Sequence, residues 1–277
     1  MLTDMKTLLA IAEEKGCAIP AFNVYNAETT LGAIFAAEET SSVCILQMYS
    51  RLFSNYEAEF MIPSILAAAQ RSRVKFAFHL DHGASDEAVA RAIRYGATSV
   101  MRDASELPLD ENIAVMQKVT HFAHDMGISV EGELGHVGVA AQGVSQDYTK
   151  VDEAVKFVNE TGVDALAILV GTAHGHYTQA PVLAIDRIRE IKEATGTPLV
   201  LHGGSGVPDD QIKAAVKAGI RKINFGTDVC CSLLDGIRPM LETKVLAIDL
   251  FMKEPTQNVK RYCIEKIKLC GSEGTND

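Results

Sequence analysis

The chain has 277 residues, 47% hydrophobic and 22% charged, a balance that supports a large folded core and excludes a disordered polypeptide. With 26 Lys+Arg against 36 Asp+Glu the net charge is −10, and no basic run interleaved with aromatics offers a surface for a phosphate backbone, so nucleic acid is excluded as a partner. No apolar run approaches about 18 residues, residues 1–10 lack the features of a secretion signal, and the six cysteines form no Cys-x-x-Cys pair. These features predict a cytoplasmic protein with reduced, mostly buried thiols, no disulfide framework, no thiolate zinc site and no membrane partner.

No Pro/Ser-rich linker interrupts the sequence, which predicts a single α/β domain over residues 1–277. Apolar runs of strand length alternate with amphipathic segments of helix length. Taken in order, the strands are expected near Ala18–Asn23, Val43–Met48, Val74–Leu80, Ser99–Arg102, Ser129–Glu133, Ala165–Val170, Pro198–Leu201 and Ile220–Asn224. Eight β-α units are the number that closes a (β/α)8 TIM barrel. Helix starts are marked by Ser85-Asp-Glu-Ala and by Pro208-Asp-Asp-Gln, the latter opening a helix to Ala218. Helix ends are marked by Gly96, Gly127, Gly162, Gly196 and Gly219. Two segments break the beat. Gly138 to Tyr148 reads as a long mobile loop after the fifth strand, and Pro255 to Leu269 as a basic-faced extra helix within a C-terminal extension of about 250–277, suited to an oligomer contact.

Three histidines fall where buried apolar strands run out: His82, His174 and His202, each followed by glycine. In a parallel barrel these distant segments meet at one rim, and three neutral imidazoles with an open position describe a catalytic zinc site. A single strand-end histidine is more often a hydrogen-bonded residue at the edge of the core; three in the same setting favour the metal. His79 within its strand, His121 and His124 on a helix, and His136 and His176 in loops fit less well.

Asp81, immediately before His82, is the candidate general acid/base, with a helix cap or an orienting partner for a histidine as the structural alternative. Glu131 and Glu133 alternate along the fifth strand, with only one of them expected to face a given side. Asp103 ends the fourth strand. These acids could orient metal ligands, hold a second cation or pair with Lys and Arg in the barrel. Gly203-Gly204-Ser205-Gly and Asn224-Phe225-Gly226-Thr227, each before a helix, offer backbone N–H groups and hydroxyls to a phosphate, and Gly175 lies beside the proposed metal.

Taken together, Leu80-Asp81-His82-Gly, Glu131-Gly-Glu-Leu-Gly135, Gly171-Thr-Ala-His174-Gly-x-Tyr177, Leu201-His-Gly-Gly-Ser-Gly206 and Ile223-Asn-x-x-Thr-Asp228 resemble the class II, zinc-dependent fructose/tagatose-bisphosphate aldolase family. Ala21-Phe-Asn-Val and Ile264-Glu-Lys-Ile-Lys extend the likeness over nearly the whole chain. The resemblance implies that His82, His174 and His202 bind Zn2+ and that Asp81 exchanges a proton with the substrate hydroxyl. It further implies a dihydroxyacetone phosphate site. Gly175, Gly203, Gly204 and Ser205 would hold its phosphate and a monovalent cation (Na+ or K+), and Asn224, Phe225, Gly226 and Thr227 the remainder. The implied reaction is reversible cleavage of a ketose 1,6-bisphosphate or ketose 1-phosphate to dihydroxyacetone phosphate and an aldehyde, in a homodimer or homotetramer.

The sequence departs from that family in the loop after the fifth strand, where a Gly-Gly-x-Glu-Asp stretch is replaced by Gly138-Val-Ala-Ala-Gln-Gly-Val-Ser-Gln-Asp147. Asp147 or Glu133 is then the candidate to take the dihydroxyacetone phosphate proton. Met101-Arg102-Asp103-Ala-Ser and Glu133-Leu-Gly-His136-Val-Gly resemble a divergent branch acting on unusual sugar phosphates, including acidic ones. Tyr49-Ser50-Arg51 also differs from the small-residue loop of the family, so Ser50 and Arg51 are candidates for contact with the far end of the substrate, Arg51 (or secondarily Arg102) meeting a second phosphate or a carboxylate. Two alternatives stand beside the aldolase: a zinc hydrolase, and a sugar-phosphate-binding barrel without catalysis.

Overall fold

The computed structural model describes residues 1–53, 56, 58–138, 147–175, 177 and 179–277. Among them, eight parallel strands hydrogen-bond in chain order and close, β8 pairing with β1. They are β1 (Ile19–Asn23), β2 (Cys44–Tyr49), β3 (Phe76–Gly83), β4 (Ser99–Arg102), β5 (Ser129–Leu134), β6 (Ala165–Ile168), β7 (Leu199–Leu201) and β8 (Ile220–Phe225). This is the expected (β/α)8 barrel. The five glycines read as helix stops all have positive φ, the conformation that lets a chain leave a helix toward the next strand. Ser85 caps α5 (Asp86–Arg94) through Ala88 N, and α9 (Asp209–Ala218) opens after Pro208 as its sequence predicts.

Alternation along each strand divides the apolar residues between two cores. Residues such as Phe22, Leu46, Phe78, Val130 and Ile223 point outward against the helices, while Ala21, Ile45, Ala77, Ala165, Ala167 and Val200 fill the lower barrel. The lower core is sealed by α1 (Met5–Lys15), which sequence reading missed. Asp4 caps it through Thr7 N, Gly16 ends it in the left-handed region, and Met5, Leu8, Leu9 and Ala12 bury one face into the barrel floor. An acidic cap and an i, i+3, i+4, i+7 pattern were legible in that segment.

At the other end of the chain, α12 (Lys253–Leu269) presses Val259, Cys263 and Ile267 into the outer core against α2 (Ala27–Glu39). The approach is close: a Cβ at Gly32 would lie 2.5 Å from Val259 Cγ1. The extra helix expected at Pro255–Leu269 therefore packs against its own barrel along this face. The loop expected at 138–148 falls largely on residues 139–146, which lie outside the described residues, as does His176. Among the described residues no helix is long and apolar enough to cross a membrane.

Candidate active site

Polar residues replace apolar ones in the upper half of the barrel. Asn23, Gln47, His79, Asp81, Glu131, Glu133, Lys222 and Asn224 are all buried there. Their mouth is a cavity of about 460 Å3, within the usual range for a small-molecule site. Asp81, His82, His174, Gly175, Gly203, Ser205, Asn224, Gly226 and Thr227 line it.

Asp81 and His82 are consecutive, and the two-residue period of a strand should send them to opposite faces. A bulge resolves the conflict. From Leu80 to Gly83 strand β3 advances three residues while β4 advances two, and His82 takes φ 48°, outside the region favoured by non-glycine residues. Both side chains consequently line the cavity. Gly83 completes the bend, since a Cβ there would lie 2.4 Å from Met101 O.

The three histidines converge, with His82 and His174 ring centroids 4.9 Å apart, His82 and His202 4.7 Å, and His174 and His202 5.9 Å. One ring nitrogen from each lies within 4.8 Å of the others. Their hydrogen bonds show which nitrogens would face a metal. His82 Nδ1 is 2.7 Å from Asp103 Oδ2, and His202 Nε2 is 2.8 Å from Glu131 Oε1. Burial works against ionisation of both acids, yet the His82 imidazole holds Asp103, and Lys222 with His202 holds Glu131, well below the usual carboxylate range. Ionised carboxylates only accept, so these nitrogens donate. His82 Nε2 and His202 Nδ1 are then left buried without a hydrogen-bond partner, as metal-ligating nitrogens are when the opposite nitrogen is fixed by a carboxylate.

Electrostatics acts in opposite directions on His174 and His202. Burial followed by the positive charge of His82 and His202 brings His174 down to about 4, which keeps it neutral and its lone pair available. For His202, burial is overcome by Glu131 and Glu133, which push it up to about 10. A zinc ion at its Nδ1, which lies 3.1 Å from Glu133 Oε2, would take the place of the proton that these carboxylates favour there. These residues fit a zinc ion.

Glu131 and Glu133 correct the sequence expectation that only one would face a given side. Residues two apart on a strand share a face, and both reach His202. Asp103 lies against His82 and also accepts from Ser105 Oγ (2.7 Å). His82, Asp103 and Glu133 form a second group of possible metal ligands. Asp147 is exposed and is not among the cavity-lining residues.

Asp81 faces the cavity and is held from behind by two amide donors. Asn23 Nδ2 donates to Oδ2 at 2.8 Å and Asn224 Nδ2 to Oδ1 at 3.2 Å, while Gln47 Nε2 fixes Asn23 by donating to its Oδ1 at 2.8 Å. Burial would raise the Asp81 pKa, but His82, His202, Lys222 and the Asn23 hydrogen bond together lower it. Asp81 therefore rests as a carboxylate, 3.9 Å from His82 Nε2.

The phosphate candidates meet on one wall. Gly203 has φ 67°, and a Cβ there would lie 2.3 Å from Ala173 O, so the loops carrying His174 and His202 touch through backbone. Tyr177 clasps them, its hydroxyl accepting from Ala173 N at 2.8 Å and lying 3.0 Å from Gly203 O. Beside them opens the N-terminus of α10 (Thr227–Met240), whose Asp228 N donates to Ser205 Oγ at 3.2 Å. Gly204 donates to Asn224 O and Phe225 packs 6.0 Å from Phe22; neither lines the cavity.

Tyr25, Tyr49, Arg51, Cys230 and Cys231 also line the cavity. Arg51 is the one arginine or lysine among the described lining residues and stacks 5.6 Å from the Tyr49 ring centroid. Ser50 is buried instead, its Oγ accepting from Ala84 N. Arg102 is directed at Asp86 and the carbonyls of Gly83 and Asp103, away from the cavity. No disulfide joins the cysteines among the described residues, and Cys17, Cys44, Cys263 and Cys270 are buried as expected.

Lys222, Asn23 and Gln47 escaped sequence reading, while His79, set aside there as a metal ligand, is buried in the barrel with them. The signal was period two: Lys222 and Asn224 share the inward face of β8, and His79 shares that of β3 with Asp81.

The sequence model of class II fructose-bisphosphate aldolases matches residues 3–275. The chain is 38% identical over 281 aligned positions to a Bacillus subtilis (strain 168) protein named "probable fructose-bisphosphate aldolase", with 98% of each covered. Among solved structures, the YdjI aldolase of Escherichia coli K12 superposes with a TM-score of 0.92 at 37% identity, covering 100% of both chains. The fructose-bisphosphate aldolase of Campylobacter jejuni, at 19% identity, shares the fold with a TM-score of 0.80, over 99% of this chain and 97% of that one. With its barrel, its histidine cluster and a match over almost its entire length, this chain belongs to the class II fructose-bisphosphate aldolase family and is an aldolase, a carbon–carbon lyase.

Proposed function

We propose that the protein is a zinc-dependent aldolase that reversibly cleaves a ketose 1,6-bisphosphate of fructose or tagatose type, or a related ketose 1-phosphate, to dihydroxyacetone phosphate and an aldehyde. The observation that carries this reading is the placement of Asp81 beside the metal-facing nitrogen of His82, within a cavity bounded on one wall by glycine loops and a helix N-terminus. Residues 1–277 act as one catalytic domain, with 250–277 as its extension.

His82 Nε2, His202 Nδ1 and His174 would hold the zinc. When bound, zinc supplies Lewis-acid polarisation of the substrate's carbonyl and hydroxyl oxygens. Gly175, Gly203 and Ser205 bind the phosphate, Asn224, Gly226 and Thr227 hold the remainder of dihydroxyacetone phosphate, and together they fix the position of the bond to be cleaved. Asp81, as a carboxylate, removes the proton of the hydroxyl on the aldehyde-forming carbon. Cleavage of the adjacent carbon–carbon bond follows, the carbanion left at C3 of dihydroxyacetone phosphate takes a proton delivered by Glu133 or Asp147, the two acids named for it in the sequence, and in condensation the Asp81 carboxyl returns its proton to the new hydroxyl. Asn23 and Asn224 hold it in place in both directions. Arg51 binds an anionic group at the far end of the substrate, a second phosphate or a carboxylate, because it is the one arginine or lysine among the described residues that line the cavity.

The test is condensation of dihydroxyacetone phosphate with a panel of neutral, phosphorylated and acidic aldehydes, with zinc supplied or chelated. Metal-dependent product formation is expected. Failure of every aldehyde, or equal rates with chelator present, would contradict the reading.

A further inference from the structure

Lys222 is fully buried inside the barrel, far from any solvent that could hydrate its charge. An ammonium in such a place persists only through its partners. It has two: Glu131 Oε2 at 2.8 Å and Asn224 Oδ1 at 2.8 Å. Each leads to a different part of the chemistry.

The first branch runs through Glu131 to His202. Lys222 Nζ lies 2.8 Å from Glu131 Oε2, and Glu131 Oε1 lies 2.8 Å from His202 Nε2, so the ammonium anchors the carboxylate that orients the imidazole and turns His202 Nδ1 toward the other two histidines. The second branch runs through Asn224 to Asp81. An ammonium has donors and no acceptor, so it dictates that the Asn224 side chain present its oxygen to Lys222 and its NH2 to Asp81. Were Asn224 turned over, its oxygen would face the Asp81 carboxylate, acceptor against acceptor.

We propose that Lys222 is a positioning residue that sets the metal-facing nitrogen of His202 and the orientation of the acid/base carboxylate Asp81 at the same time. The geometry behind this is one ammonium between two acceptors, each of which ends on a reacting group. Lys222 touches neither metal nor substrate in this arrangement. Its effect on the phosphate loops is correspondingly small, since Gly203, Ser205 and Thr227 lie on neither branch.

The inference rests on the metal-dependent reading of the site, and its test separates the two. In the zinc-loaded full-length enzyme, Lys222→Met should weaken zinc about tenfold to a hundredfold, the range for residues that orient metal ligands, read by competition with a chromophoric chelator. At saturating zinc, kcat for condensation of dihydroxyacetone phosphate with glyceraldehyde 3-phosphate should fall at least about tenfold while KM for dihydroxyacetone phosphate stays within about threefold. Glu131→Gln cuts one branch only; it should weaken zinc comparably and lower kcat by less. If Lys222→Met does not fold, the Lys222→Met, Glu131→Gln pair removes both charges at similar volume and should show the same losses. A folded Lys222→Met, or the folded pair, with zinc affinity and kcat within twofold of wild type would overturn the proposal. Wild type that is unaffected by chelation would instead overturn the metal-dependent reading.

Discussion

Replacing Asp81 with asparagine separates its two duties, accepting hydrogen bonds and moving a proton. The carboxylate accepts from Asn23 Nδ2 at 2.8 Å and from Asn224 Nδ2 at 3.2 Å. An amide of the same shape keeps one accepting oxygen and sets its own NH2 against the other donor. One buried donor is then unsatisfied, which costs about 1–3 kcal/mol of stability. The catalytic loss is larger. A positioned acid/base contributes about 10²–10⁴ in rate, or about 3–5 kcal/mol of barrier. Steady-state cleavage at saturating zinc should therefore fall by that factor. Exchange of the C3 proton of dihydroxyacetone phosphate with deuterated water, followed by NMR, involves a different proton and should survive within about tenfold of wild type. A folded Asp81→Asn that cleaves substrate within tenfold of wild type would refute the assignment, as would equal loss of both activities.

Other expectations follow from the same geometry. Arg51→Ala should lower kcat/KM for substrates with an anionic tail by about 10–100-fold, the equivalent of one charge-assisted hydrogen bond, and leave neutral-tailed ones unaffected; unchanged discrimination would remove Arg51 from substrate recognition. Leu9→Ala, at a buried position of the barrel floor, should cost about 2–5 kcal/mol in chemical denaturation with kcat of the folded enzyme unaltered; a loss of turnover would contradict the separation of floor from site. Asp4→Ala should cost about 0.5–2 kcal/mol at neutral pH by uncapping α1. Burial opposes ionisation of Asp4, but the hydrogen bonds from Thr7 lower its pKa below the ordinary 3.8. Its contribution is therefore complete above that value and lost as pH falls through the lower folded pKa, so wild type and variant should converge in stability there. A difference that persists at lower pH would point to some other role.

The barrel was legible in the sequence because its strands are short, apolar and evenly spaced. Their boundaries fall within about three residues of expectation, an ordinary uncertainty for element ends. The histidines were legible because each ends such a run beside a glycine. Less legible was what happens within a strand. The bulge at His82 adds a residue to β3 without any change in apolar pattern, and pairing with β4 is needed to reveal it. Glu131 and Glu133 share a face by period two, contrary to the alternating placement expected for them. Lys222 was hidden by its chemistry. A lysine is most often a solvated residue, and only closure of β8 onto β1 places this one inside, opposite Glu131 from β5. The sequence ranked Arg51 above Arg102 without showing where either points, and of the two it is Arg51 that lines the cavity.

In the proposed mechanism three histidines hold one zinc on which aldol cleavage depends. Its most direct test is titration of chelator-treated protein with zinc while release of dihydroxyacetone phosphate is followed with a substrate selected from the aldehyde panel. Activity should rise from background in proportion to added zinc and level off at about one equivalent per chain. Undiminished cleavage in the metal-free protein, or zinc bound at that stoichiometry without recovery of cleavage, would contradict the account.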